Sequence, residues 1–271
     1  MLRRQLLGSS LILPGTLATG SLAVMSRLAQ SEKREPKFTG IDGWINTGSI
    51  SLAQLRGTVG LVNFWTYSCI NSRRPMMYLK RWHAEYGPLG LRVIGIHTPE
   101  FCFEHNRSNV EIYIREAGIL FPVGLDNQYE TWNAFDNEAW PGFYLVGHEG
   151  NVVLRREGEG YAFEIEQAIR NALGLAGVKS IGHPGDDPDL SLIGSPEMYF
   201  GTQHPTPQDS AQSPRLGTAE YSFAERDSPA LNRYLLDGTW LRENERLLLV
   251  SARGSLRFRF SAAKPNFPTI H

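Results

Sequence analysis

The sequence predicts an α/β domain built on a mixed sheet, followed by a small all-β, sandwich-like module. Three observations carry this. Two near-continuous apolar runs, 59–67 and 91–98 ("LRVIGIHT"), each precede a segment of helical character, as strands buried on both faces do. The stretch "GFYLVGHEGNVVLRREG" alternates around a turn at Glu149, Gly150 and Asn151, the mark of a hairpin. Beyond residue 196 the pattern becomes strand-like throughout, and the alternation in "LRFRF" is clear.

Taken in order, a polar linker ("QSEKREPKF") leads into an irregular segment with short strands, "GWINTGSISLAQLRG". After the first buried strand, 72–86 sets Met76, Leu79, Trp82 or His83, and Tyr86 on one helical face. Pro75 falls in its first turns, where proline is tolerated or kinks the helix. "SNVEIYIREAG" opens with the capping box Ser108 and Glu111, shows an apolar face of Val110, Tyr113, Ile114 and Ala117, and stops at Gly118. Residues 120–126 form a shorter strand or extended loop, and "YETWNAF" a short helix. A last helix, about 163–173, carries Ile165, Ala168, Ile169, Ala172 and Leu173 before Gly174. Parallel strands joined by helices, closed by an antiparallel hairpin and covered on both faces, describe a thioredoxin-like α/β domain at 37–176. Residues 182–196 read as a linker. Residues 197–271 read as a partial β-sandwich module that ends abruptly in "KPNFPTIH".

The 271 residues are 41% hydrophobic and 20% charged, enough apolar matter to bury a core. A net charge of -1 leaves no basic surplus for nucleic acid. Two cysteines, Cys69 and Cys102, exclude a disulfide scaffold. The seven histidines show no ligand spacing, so neither a metal nor another cofactor is implied. Residues 1–30 read as an export signal or membrane anchor. Arg3 and Arg4 precede an uncharged stretch interrupted by Gly, Ser, Thr and Pro14, and "RRQLLG" looks like a twin-arginine signal. Both routes place the folded part outside the cytoplasm, in the periplasm or its equivalent.

The chemistry gathers where the first buried strand meets a helix, at "YSCINSRRP". A helix N-terminus stabilises a thiolate and is expected to lower the Cys69 pKa from the usual ~8.5. The alternative is a buried, inert cysteine. Arg73 adds positive charge one turn on, or belongs to a solvated face. Ser72 stands three residues after the cysteine. Its hydroxyl can donate a hydrogen bond to the thiolate but cannot attack a mixed disulfide. Cys102 lies beyond strand 91–98, at the same carboxyl edge as Cys69. It is either a second thiol for the reaction or a residue packed between Phe101 and Phe103. Glu100 and His97 share that edge, Glu100 as a proton relay or a solvated carboxylate, His97 as a site group or a strand-end histidine.

"LVNFWTYSCIN", "VIGIHTPEF", "FPVGLDNQYETWNAF", "WPGFYLV" and "GEG" resemble the TlpA/DipZ-like thioredoxin (redoxin) family over most of 50–175. "GSPEMYFG", "DGTWLRENE" and "RFRFSAA" are similar to the C-terminal β module of DipZ-type proteins, here truncated and carbohydrate-binding-like. The resemblance implies an exported thiol:disulfide oxidoreductase with antioxidant redoxin character. Cys69 would be the attacking thiol. Pro141, after Trp140, would be the cis-proline whose loop receives substrate backbone. Ser72 stands where that family places its resolving cysteine, and Pro75 comes earlier than its helix proline. The implied partners are protein or small-molecule thiols and disulfides, an external reductant, and a glycan at the C-terminal module. The competing reading is a redox-inactive thioredoxin-fold protein that binds a partner or glycan.

Overall fold

The computed structural model describes residues 37–175, 194–203, 212 and 215–262, all within one compact unit. Its first region runs β1 (Gly43–Ile45), β2 (Val59–Trp65), α1 (Ile70–Arg73), α2 (Met76–Tyr86), β3 (Leu91–His97), α3 (Arg107–Glu116), β4 (Val123–Leu125), α4 (Glu130–Ala134), β5 (Gly142–Val146), β6 (Val152–Glu157) and α5 (Ala162–Ala172). The sheet order is β1-β4-β3-β2-β5-β6. Strands β2, β3 and β4 are parallel, and β1, β5 and β6 run antiparallel to their neighbours. This is the mixed α/β, thioredoxin-like fold.

Every residue of β2 is buried, which is why its sequence is almost wholly apolar. Its side chains alternate between two cores. Leu61 and Trp65 pack with Met76, Leu79, Trp82 and Tyr86 of α2, Val110 and Ile114 of α3, and Ile165 and Ile169 of α5. Val62 and Phe64 point the other way, to Leu52 and Leu55 of a 3-10 turn and to Trp132 beside Phe135. The helices therefore cover the sheet unevenly, three on one face and α4 with the 3-10 turn on the other.

Three local expectations change. The helix expected at 72–86 is two, α1 and α2, because Pro75 has no N–H to continue the ladder. Trp82, not His83, is the fully buried member of its stripe. Helix α3 starts two residues earlier, capped by Asn106, whose Oδ1 accepts the Ser108 N–H at 2.9 Å. Glu111, expected to complete a capping box with Ser108, instead pairs with Arg107 at 2.6 Å across one turn.

The C-terminal region is antiparallel: β7 (Gly217–Tyr221), β8 (Arg233–Arg242), β9 (Leu247–Leu249) and β10 (Ser255–Arg259) form one four-stranded sheet. The first half of β8 pairs with β10 and its second half with β7 and β9. Gly238 marks the changeover at φ +97°, and a Cβ there would lie 2.8 Å from both Arg253 O and Ser251 Oγ. Tyr234, Leu236, Ala219 and Tyr221 make a small core, completed by Met198 and Phe200 from the segment that enters the module.

Gly238→Ala is therefore expected to destabilise this sheet by about 1–3 kcal/mol, through strained φ and the backbone clash. Hydrogen exchange of the β8 amides, read against those of β2, would show the loss; equal protection in both proteins would refute it.

Candidate functional site

The parallel register brings the ends of β2 and β3 to one edge: Trp65 lies opposite His97, and the Thr98 N–H bonds Trp65 O at 3.0 Å. From that edge two loops emerge, 66–69 and 98–101. Glu104 ties them together. Its fully buried carboxylate accepts the Ser68 N–H (3.2 Å) and hydroxyl (2.6 Å) on Oε1, and the N–H groups of Glu100 (2.6 Å) and Phe101 (2.9 Å) on Oε2. Four donors offset the cost of burying a carboxylate.

Cys69 is the N-cap residue of α1 and is half-buried. Ser72 is 1% exposed, and its N–H donates to Cys69 O at 3.1 Å. Its N–H and hydroxyl, close to the sulfur, favour the thiolate. Burial nevertheless wins and pushes the Cys69 thiol up, and the charges of Glu197 and Glu100 push it further. This corrects the expectation of a lowered pKa. Helix α1 has only four residues, too short for a strong dipole. The cations of this helix are engaged elsewhere. The Arg73 guanidinium sits over the Tyr113 ring, 5.6 Å from its centroid. Arg74 pairs with Glu159 at 2.5 Å and with Asn71 Oδ1 at 3.3 Å.

Glu100 is held near the thiol, and its pKa is pushed up to about 7, chiefly by burial, with Glu104 and Glu197 adding to the rise. The Tyr199 hydroxyl sits between two carboxylates, 3.1 Å from Glu100 Oε1 and 2.7 Å from Glu197 Oε2. Glu197 Oε1 accepts Asn71 Nδ2 at 3.0 Å. The C-terminal region thus contributes two side chains beside Cys69. Sequence reasoning missed both, and also missed Glu104. A signal was present: in "GSPEMYFG" Met198 and Phe200 enter the module core, so the alternate residues Glu197 and Tyr199 must face away from it.

The Trp140–Pro141 peptide bond is cis. Antiparallel pairing of Gly142 with Phe64 places Pro141 beside the carboxyl end of β2, the end that leads to Cys69. Trp140 is fixed by its Nε1–H bond to Thr98 O at 2.9 Å and by the Trp132 ring at 4.4 Å. Cys102 is exposed rather than packed between aromatic rings. Phe101 and Phe103 stack on each other, and the Cys102 N–H donates to Glu245 Oε2 at 2.7 Å. His97 is wholly buried between the Trp65 and Tyr67 rings, and its pKa falls to about 3 because burial disfavours the charge. It is a strand-end core histidine.

Residues 32–155 match the AhpC/TSA family, and residues 195–267 match the thioredoxin like C-terminal domain. Protein DipZ of Mycobacterium bovis is 37% identical over 214 residues, covering 76% of this chain and 30% of DipZ. The chain thus spans less than a third of that relative's length. Thiol-disulfide oxidoreductase YkuV of Bacillus subtilis is 26% identical over 118 residues, covering 43% of this chain and 78% of YkuV. Among solved structures, a thioredoxin-like protein in its oxidized form superposes with a TM-score of 0.48 at 24% identity, over 52% of this chain and 95% of its own.

Two outcomes follow from this geometry. Glu197→Gln removes a carboxylate that raises the Cys69 pKa, so the pH midpoint of Cys69 alkylation by iodoacetamide should move down; an unchanged midpoint would place Glu197 away from the thiol. Glu104→Ala strands buried donors in both loops and should destabilise the chain by about 3 kcal/mol in urea unfolding.

Proposed function

We propose that this chain, whose residues 32–155 match the AhpC/TSA family, is an exported thiol:disulfide oxidoreductase that works through the single thiol of Cys69. The observation that carries the reading is the placement of Cys69. It stands at the start of the helix after the central strand, has Ser72 beside its thiol, and shares its sheet edge with the cis Trp140–Pro141 bond.

The Cys69 thiolate attacks one sulfur of a disulfide, forming Cys69–S–S–R and releasing the other half as a thiolate. Because burial holds the thiol up, its proton must be taken first. Glu100, near pH 7, is suited to receive it. Ser72 cannot resolve the product, since its hydroxyl is a poor nucleophile. An external thiol attacks the mixed disulfide, leaves with R as a new disulfide and returns Cys69 as thiolate. Trp140, half-buried before the buried Pro141, lies at the carboxyl edge, and Cys102, exposed on the same edge, is a second thiol for the substrate or reductant.

A second reading is favoured by one observation, the raised pKa of Cys69. A thiol that stays protonated suits a redox-inactive protein that binds a partner, or a glycan through its C-terminal module. Export, by the twin-arginine route, rests on Arg3 and Arg4, in residues that lie outside those described. Among the described residues no helix is long and apolar enough to cross a membrane.

Insulin-disulfide reduction with a thiol donor separates the two readings. Ser72→Cys should raise the rate by about tenfold or more, since an intramolecular thiol acts at high effective concentration. Cys69→Ala should abolish activity in both backgrounds. No gain from Ser72→Cys, with Cys69→Ala leaving the rate unchanged, would favour the binding protein. Arg3→Lys with Arg4→Lys should retain the chain in the cytoplasm; export of that variant would rule out the twin-arginine route.

A further inference from the structure

A cavity of about 230 Å³ lies beside the Cys69 helix, lined among others by Pro75, Met77, Trp82, Phe143, Ile165 and Glu159. Its interior is apolar: Trp82, Phe143 and Ile165 are almost wholly buried, whereas Met77 is 62% exposed at its rim. Two charged side chains line it, Arg74 and Glu159. The Glu159 side chain is 8% exposed, and Arg74 holds its Oε1. Its Oε2 is buried with no hydrogen-bond donor among the described residues. A buried carboxylate oxygen in a hydrogen-bonded protein normally has a donor, so this one points to a ligand.

The cavity is tied to the thiol from two sides. Arg74 bonds Asn71 on α1, two residues beyond Cys69, and Glu197 bonds the same Asn71. On the other side, the Gly158 N–H bonds Pro141 O at 2.8 Å, so the loop that carries Glu159 is anchored to the cis-proline. Residues that line or flank the cavity are thus hydrogen-bonded both to the Cys69 helix and to the cis-proline.

The geometry points to a substrate side-chain pocket: we propose that it receives a tyrosine or tryptophan of the polypeptide whose disulfide Cys69 attacks. This rests on the oxidoreductase reading. The volume is below the ~300 Å³ at which pockets begin to hold drug-sized ligands, and it suits one large side chain. The apolar walls call for an aromatic body. The unpartnered Oε2 calls for a donor at its far end. A lysine or arginine would bring a second cation up to Arg74, whereas a phenol O–H or indole N–H is neutral. Arg74 and Met77 at the rim also favour an aromatic ring over an aliphatic chain.

The test uses the full chain with Cys102→Ser, leaving Cys69 as its only thiol. The probes are short peptides with one cysteine as its 2-thiopyridyl mixed disulfide, and Tyr, Phe or Ala stepped along either side of it. Cys69 attacks the peptide sulfur, the peptide joins Cys69 and 2-thiopyridone leaves, so absorbance gives the rate. At one register Tyr should react about tenfold faster than Ala, from burial of the ring, and about threefold faster than Phe, from the hydrogen bond. Glu159→Leu, which keeps the volume and removes the acceptor, should bring the Tyr-to-Phe ratio to about 1. Met77→Asp is an exposed change on the first turn of α2, tolerated by the helix, and should lower the Tyr-to-Ala ratio. Equal rates for all three residues at every register, with Cys69 still reacting, would overturn the pocket and leave the oxidoreductase standing. A Tyr-to-Phe preference that survives Glu159→Leu would overturn the role of Glu159. A Cys69 that reacts with none of the peptides would overturn the oxidoreductase reading and the pocket with it.

Discussion

The buried carboxylate of Glu104 is the constraint on which the site depends. It lies on neither of the two loops it binds, yet it takes two donors from Ser68 and two from the backbone of Glu100 and Phe101. A buried charge is tolerated only when its lone pairs are filled, so both loops must keep the positions that fill them. One of those loops ends at Cys69 and the other carries Glu100. The distance between thiol and carboxyl is thereby set by a residue that touches neither sulfur nor substrate. Trp140 extends the same logic to the cis-proline loop, because its indole N–H is fixed to Thr98 at the end of β3.

The electrostatics around the thiol run against the simplest expectation for a cysteine at a helix start. Burial and two carboxylates raise its pKa, and only Ser72 works in the other direction. The nearby arginines do not relieve this, because Arg73 is spent on Tyr113 and Arg74 on Glu159. Ser72 thus favours the thiolate from a position where a thiol would act as a nucleophile. In the proposed reaction this arrangement serves the first exchange step, and an outside thiol serves the second.

The C-terminal sheet bears on this site as well as on its own core. Its entering segment alternates, with Met198 and Phe200 turned inward and Glu197 and Tyr199 turned to the Cys69 loop. Glu245 reaches the backbone of Cys102. Two regions that each bury a separate core therefore share a polar surface at the thiol, and charge from one adjusts the proton affinity of groups in the other.

The fold was legible in the sequence wherever burial is two-sided or periodic. The nearly all-apolar run of β2, the alternation of the β5–β6 hairpin and the stripe of Ile165 and Ile169 each report a local environment that a side-chain pattern records directly. Cys69 and Ser72 could be singled out for the same reason, since their meaning lies in a strand-to-helix turn, whereas Pro141 was reached only through the family resemblance. The pKa of Cys69 could not be read, because it follows from desolvation and from Glu197, 128 positions away in the chain. Nor could the roles of Glu104, Tyr199 and Glu159. A carboxylate in a charged or polar stretch looks like a solvated one until packing removes its water, and only the tertiary structure decides which carboxylates are buried, what donors they meet and which oxygen is left over.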